Sequence, residues 1–203
     1  MRFLGRRRIV VSGIALIVAF AIPSYIRAYV VVGDSDAPGF ASGDRILVNL
    51  AAYDLRAPYS LHRLARLADP TPGDMVLIRL ANDQFAVKRI IAGPGTGIAL
   101  KNTHVSIDGV ALEYVGLMSQ TTAAIRRGRL GPVVEIERGI GPEVTVSFAP
   151  GDGLGNFEAQ VVPAGHYFLL GSNRDASIDS RHFGPLPRER VLGKVLGRIW
   201  SAD

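Results

Sequence analysis

The sequence predicts a mainly β protein of antiparallel sheets with one N-terminal transmembrane helix, and three observations carry that prediction. Short apolar or alternating runs recur along the chain, each bounded by Gly, Pro, Asn or Asp, the pattern of strands joined by turns. Asp108-Gly109 stands between two such runs, and a two-residue type I′ hairpin needs positive φ at both central residues. Ahead of them lies a long uncharged apolar segment.

That segment, Ile9 to Ile26, holds no charge and is just long enough to cross a hydrocarbon core of roughly 30 Å. Arg2, Arg6, Arg7 and Arg8 precede it, which predicts a cytoplasmic N-terminus and an exported remainder. The expected layout is a basic tail over 1–8, an anchor over 9–30 and an exported domain over 31–203. The triplet Ala19-Phe20-Ala21 also fits a cleavable signal peptide; in both readings the body is exported.

The rest of the 203 residues is nearly balanced, with 19 basic against 18 acidic side chains, which is no nucleic-acid footprint. Cysteine is absent, so disulfides, thiolate zinc sites and cysteine nucleophiles are excluded.

Strands are expected at 45–50, 74–80, 84–91, 104–114, 134–137, 144–148, 166–170 and 191–200. The stretch 53–68, rich in Leu and Arg, reads as a loop or a short amphipathic helix after Pro58. Residues 118–159 turn glycine- and arginine-rich, suggesting an inserted subdomain or long hairpin in which no chemistry is expected.

Of 23 basic residues only Lys88, Lys101 and Lys194 are lysine. In QFAVKRII, strand alternation puts Lys88 on the face of Ala86 and Ile90. Burial disfavours an ammonium, so a lysine on an apolar face can act as general base near neutral pH, which an arginine cannot. A lysine at a sheet edge that reaches back to water is the plainer alternative. Ser35, in GDSDAPG, is a candidate nucleophile for such a base, or a turn residue. The polar run Gly171–Arg181 could orient the amine through a hydroxyl, or serve as a hydrogen-bonded loop. His62, His104, His166 and His182 lack metal-ligand spacing, and no G-x-S-x-G elbow is present.

Three blocks, in order, resemble the type I signal peptidases, membrane-anchored Ser-Lys proteases. GDSDAPGFASGD keeps Gly33, Ser35, Pro38, Gly43 and Asp44 of the nucleophile block; GDMVLIRLANDQFAVKRIIAGPGT keeps Gly73, Asp74, Lys88, Arg89, Gly93 and Gly95 of the base block; PAGHYFLLGSNRDASIDSRHFG matches the last block nearly throughout. The resemblance implies Ser35 as nucleophile and Lys88 as base, without metal or cofactor. It implies Ser177 as a hydrogen-bond partner orienting Lys88, the Ser35 backbone N–H as an oxyanion donor, and Asp179 and Arg181 as a supporting ion pair. Val31, Val32 and Val87 are expected to line pockets that admit small side chains, as in A-x-A cleavage sites. The expected partners are exported preproteins and the lipid bilayer, the domain lying on the outer face of a cell membrane. A dedicated peptidase for one substrate, such as a conjugative pilin, and a catalytically silent binding protein remain open.

One departure bears on chemistry. The usual Met after the nucleophile is Asp36, and a carboxylate facing Lys88 would favour the ammonium that catalysis must discharge.

Overall fold

The computed structural model describes residues 23–116, 133–148 and 156–202. Its main sheet has seven strands in the order β1-β2-β16-β5-β6-β14-β15. They are β1 (Ile26–Val30), β2 (Arg45–Asn49), β5 (Met75–Arg79), β6 (Phe85–Ala92), β14 (His166–Leu170), β15 (Leu186–Pro187) and β16 (Val191–Trp200). Every pairing is antiparallel. A four-stranded sheet runs β13-β7-β8-β9 and a three-stranded one β10-β11-β12. Their strands are β7 (Gly97–Lys101), β8 (His104–Ile107), β9 (Val110–Ala111), β10 (Glu113–Gly116), β11 (Val133–Arg138), β12 (Val144–Phe148) and β13 (Phe157–Val161). A short α-helix, α1 (Ser180–Phe183), follows β14.

Alternation explains how the main sheet buries both faces. On β5, Val76 and Ile78 join a cluster with Tyr53, Ile90, Tyr167 and Leu169, while Leu77 joins another with Val31, Ile46, Val48 and Val87. A sheet covered on both sides reads as a near-continuous apolar run, as MVLIR does. A third cluster, including Ile91, Ile98, Leu100, Val105 and Phe168, ties the main sheet to the four-stranded one. The Asp108-Gly109 turn has φ of 49° and 82° and joins β8 to β9 at the Ile107–Val110 pair.

Two expectations change. Residues 26–30, assigned to the end of the anchor, form β1, which pairs with β2 from Ile26–Asn49 to Val30–Arg45; a short stretch of mostly apolar residues with one charge, Arg27, fits the end of an anchor and an edge strand equally by composition. Residues 9–22 of that anchor lie outside the described residues, and among the described residues no helix is long and apolar enough to cross a membrane. The stretch 53–68 is neither loop nor helix but a hairpin, β3 (Asp54–Arg56) against β4 (Arg63–Arg66). Its organiser is the buried Asp54 carboxylate, paired with Arg56 at 2.9 Å, Arg63 at 3.0 Å and Arg188 at 2.8 Å. Arg188 comes from the far end of the sequence, so local periodicity could not reveal it. Of the insertion, β11 and β12 are described, whereas 118–132 and 149–155 lie outside the described residues.

Candidate active site

The segment 31–44 leaves β1 at the sheet edge and returns into β2, closed at its neck by Val31 N–H to Asp44 O at 2.8 Å and Gly43 N–H to Val31 O at 2.9 Å. Asp44 anchors it. The Ala41 N–H at 3.0 Å, the Arg198 guanidinium at 2.9 Å and the Ala202 N–H at 3.2 Å converge on its carboxylate and hold its carboxyl down at about 2. The C-terminal end of β16 thereby braces the loop that carries Ser35.

Lys88 lies on β6 opposite Val76 and is 1% exposed. Its Nζ donates to Ser35 Oγ at 2.6 Å. The structure therefore brings together two candidate residues 53 positions apart, and it does so in an interior that excludes water from the amine. Arg89, the next residue, is buried as well, its guanidinium capping the carbonyls of Ile140 and Pro142.

Asp36 points inward. It is 2% exposed, with Oδ2 3.3 Å from Ser35 Oγ and 3.7 Å from Lys88 Nζ. Its Oδ1 accepts from the Ser172 N–H at 3.3 Å. Burial pushes its carboxyl up to about 6, against the downward pull of Lys88, the Ser172 N–H and the Ser35 hydroxyl.

The third wall is the polar run after β14. Asp179 caps α1 and is gripped by Arg181 through Nε at 2.8 Å and Nη2 at 2.8 Å. Burial pushes the Asp179 carboxyl up, but the Arg181 guanidinium outweighs it and leaves the group below the usual carboxylate range. Ser177 corrects an expectation: its buried hydroxyl has no hydrogen-bond partner and so makes no bond to Lys88. It lies near enough to Asp179 to help lower that carboxyl, without a well-formed hydrogen bond. The lysine is instead oriented by Ser35 and Asp36.

The insertion supports this wall. Ser147 on β12 donates its N–H to Ser172 O at 2.9 Å and accepts from Arg174 N–H at 2.8 Å, while its hydroxyl donates to Ala37 O at 3.3 Å. Arg174 is fully enclosed; it pairs with Glu137 of β11 and donates to Thr103 O at 2.9 Å and Gly171 O at 3.2 Å. Sequence reasoning missed Ser147, Glu137 and Arg174 as site supports. Nothing in VEIE or VTVSF distinguishes Glu137 and Ser147 from ordinary strand residues, and Arg174 lies in the polar run 171–181, where no local pattern assigns it a buried partner.

Beside Ser35 opens a cavity of about 280 Å³ lined by Tyr29, Val30, Val31, Val32, Ile46, Leu77, Phe85, Ala86 and Val87, with Ser35 and Asp36 at its polar end. The three candidate valines all line it; Val31 and Val87 are buried and Val32 is open to solvent. A larger apolar cavity of about 550 Å³, between Leu80–Gln84 and Ile178–Pro187, contains neither Ser35 nor Lys88. Among the described residues no cluster of His, Cys, Asp or Glu could hold a metal ion.

A buried amine against a serine hydroxyl, walled by antiparallel sheets, defines a candidate hydrolase site of the Ser-Lys class. The profile of the family described as signal peptidase, peptidase S26, matches residues 6–200, and the chain belongs to that family. It is 29% identical over 194 residues to signal peptidase I of Pseudomonas fluorescens, covering 87% of this chain and 65% of that protein. It is 25% identical over 194 residues to signal peptidase IB of Staphylococcus aureus strain COL, covering 95% of this chain and 87% of that protein. The crystal structure of a signal peptidase I from Enterococcus faecalis V583 aligns with 22% identity and a TM-score of 0.40, covering 66% of this chain and 99% of that one.

Proposed function

We propose that this protein is a membrane-bound serine endopeptidase that cleaves signal peptides from exported preproteins after small residues of the A-x-A type. The observation that carries the reading is the 2.6 Å contact between Lys88 Nζ and Ser35 Oγ, in a site where Lys88 is 1% exposed. Family membership supports the same reading.

The precursor's cleavage segment adds as a strand at the sheet edge beside Ser35, its main chain supplying affinity and its alternate side chains entering the cavity. The valine walls exclude large side chains, so selection for Ala works largely by exclusion. With Lys88 uncharged, Ser35 Oγ attacks the scissile carbonyl as the amine takes the hydroxyl proton. The tetrahedral oxyanion is met by the Ser35 backbone N–H, which donates to no other group among the described residues. Lys88 then passes its proton to the leaving amine as the C–N bond breaks. A water molecule, deprotonated by Lys88, hydrolyses the acyl-enzyme and frees Ser35. Asp179 and Arg181 shape the loop and take no part in the chemistry.

We place the anchor in the cell membrane with a cytoplasmic N-terminus and the β domain on the outer face. Ile26, which begins β1, is nine positions before Ser35, and at no more than ~3.6 Å per residue that keeps the serine near the bilayer. A membrane-tethered precursor would meet it in the same plane.

Ser35→Ala, Lys88→Ala and Lys88→Arg should each abolish processing of a preprotein by the full-length enzyme in detergent micelles, with a fall of about 10³-fold or more. Undiminished cleavage by these variants would end the dyad reading and favour a silent binding protein, a reading to which the buried Asp36 lends its one specific support. Precursors that accumulate on depletion separate a general enzyme, with many unrelated substrates, from one dedicated to a single pilin.

A further inference from the structure

Resting on the Ser35–Lys88 reading, we propose that Asp36 is a positioning residue that latches the dyad: its carboxylate holds Lys88 as the ammonium and draws the Ser35 hydrogen away from the amine, so that the ascending limb of activity is displaced toward alkaline pH.

The hydrogen bonds run in the direction opposite to catalysis. Lys88 Nζ donates to Ser35 Oγ, and Ser35 Oγ in turn donates to Asp36 Oδ2. For attack, the amine must be free of its extra proton and the hydroxyl must turn toward it. A carboxylate 3.7 Å from Nζ, with both side chains 2% exposed, opposes both changes, because opposite charges screened from water favour the ionised lysine.

The carboxylate is held in place. The Ser172 N–H, from the turn after β14, donates to its other oxygen at 3.3 Å. The charged groups that face Asp36 are Lys88 on β6 and Asp179 ahead of α1, the latter tied to Arg181. Burial and Asp179 both work against charge on Asp36, so the side chain is costly where it stands. An apolar residue would fill the same space at lower cost, and the block that this loop resembles has Met there. A carboxylate in its place alters the charge state of the base next to it.

The test is the pH dependence of kcat/KM for the full-length protein in micelles, with a peptide carrying Ala at the first and third positions before the cut. In Asp36→Asn and Asp36→Met the ascending limb should move to lower pH by roughly one unit or more relative to the native chain. A limb unmoved in both variants overturns the proposal, as does loss of activity at every pH in both, which would make the carboxylate part of the chemistry. A second measurement needs no turnover. The chain has only three lysines, Lys88, Lys101 and Lys194, so ¹³C labelling of lysine yields three Cε signals, and Lys88→Arg identifies the one that matters. Its move to the neutral position should come at lower pH in Asp36→Asn than in the native chain; coincident curves sink the latch. Absence of cleavage by the native chain at any pH would defeat the peptidase reading and leave this comparison standing on its own.

Discussion

The carbonyl of Ser35 accepts a hydrogen bond from the N–H of Asn173 at 3.1 Å. Asn173 also forms a parallel bridge with Ser147 on β12. The loop bearing the candidate nucleophile is therefore stitched to the polar run after β14, and through it to the inserted sheet. This cross-bracing fixes the backbone that sets the 2.6 Å contact between Ser35 and Lys88.

Gly171 is the tightest point of this seam. A Cβ there would lie 2.2 Å from Ser177 Oγ and 2.4 Å from the Ser35 carbonyl oxygen, and the second of these is backbone that cannot rotate away. Gly171→Ala should cut kcat/KM by about 10²-fold or more, since small displacements of a reacting group cost that much. A peptide cleavage assay at matched folded fraction reads it, and near-native activity would show that the two loops can separate freely.

Glu137 and Arg174 form a buried pair, 1% and 2% exposed at their side chains. Glu137→Ala leaves the guanidinium enclosed without its counter-charge, an expected loss of about 3–5 kcal/mol. For a chain of this size that lowers Tm by roughly 2–4 °C per kcal/mol. Thermal melting followed by circular dichroism measures it, and an unchanged Tm would mean that Arg174 finds other partners.

The cavity beside Ser35 holds about 280 Å³ between Val31 and Val87. Val31→Phe fills part of it with a ring, and kcat/KM for an Ala-x-Ala substrate should fall by roughly 10–100-fold, a pocket effect of about 1–3 kcal/mol. A Gly-x-Gly peptide should lose less. Equal losses on both peptides would indicate disruption of the fold in place of a narrowed pocket.

Asp36 also sets a pH dependence of stability. Burial raises its carboxyl from the ordinary value of 3.8 to about 6, so the folded chain binds the proton more tightly than the unfolded one. Its contribution is fully present below about 4 and is lost as the pH rises through about 6. The stability of the native chain relative to Asp36→Asn should therefore fall by about 1–3 kcal/mol between pH 4 and pH 7. Denaturant titrations of both proteins at the two values check the sign; a difference independent of pH would contradict it.

Residue types and their order were enough to recognise the strands 144–148, 166–170 and 191–200, the Asp108-Gly109 turn, the family blocks, and Ser35 and Lys88 as the pair worth examining. Strand alternation and turn chemistry act over a few neighbours, and a lysine among apolar residues is visible without coordinates. The direction of Asp36, the isolation of Ser177, the hairpin in place of a helix at 53–68 and the clamp of β12 on the two loops were decided only when the chain closed. Three of these depend on groups distant in sequence: Ser172 for Asp36, Arg188 for Asp54, Ser147 for Ser172. Whether a buried polar group is paired, and with what charge, is settled by whichever partners the sheets carry to it, and no local pattern encodes that.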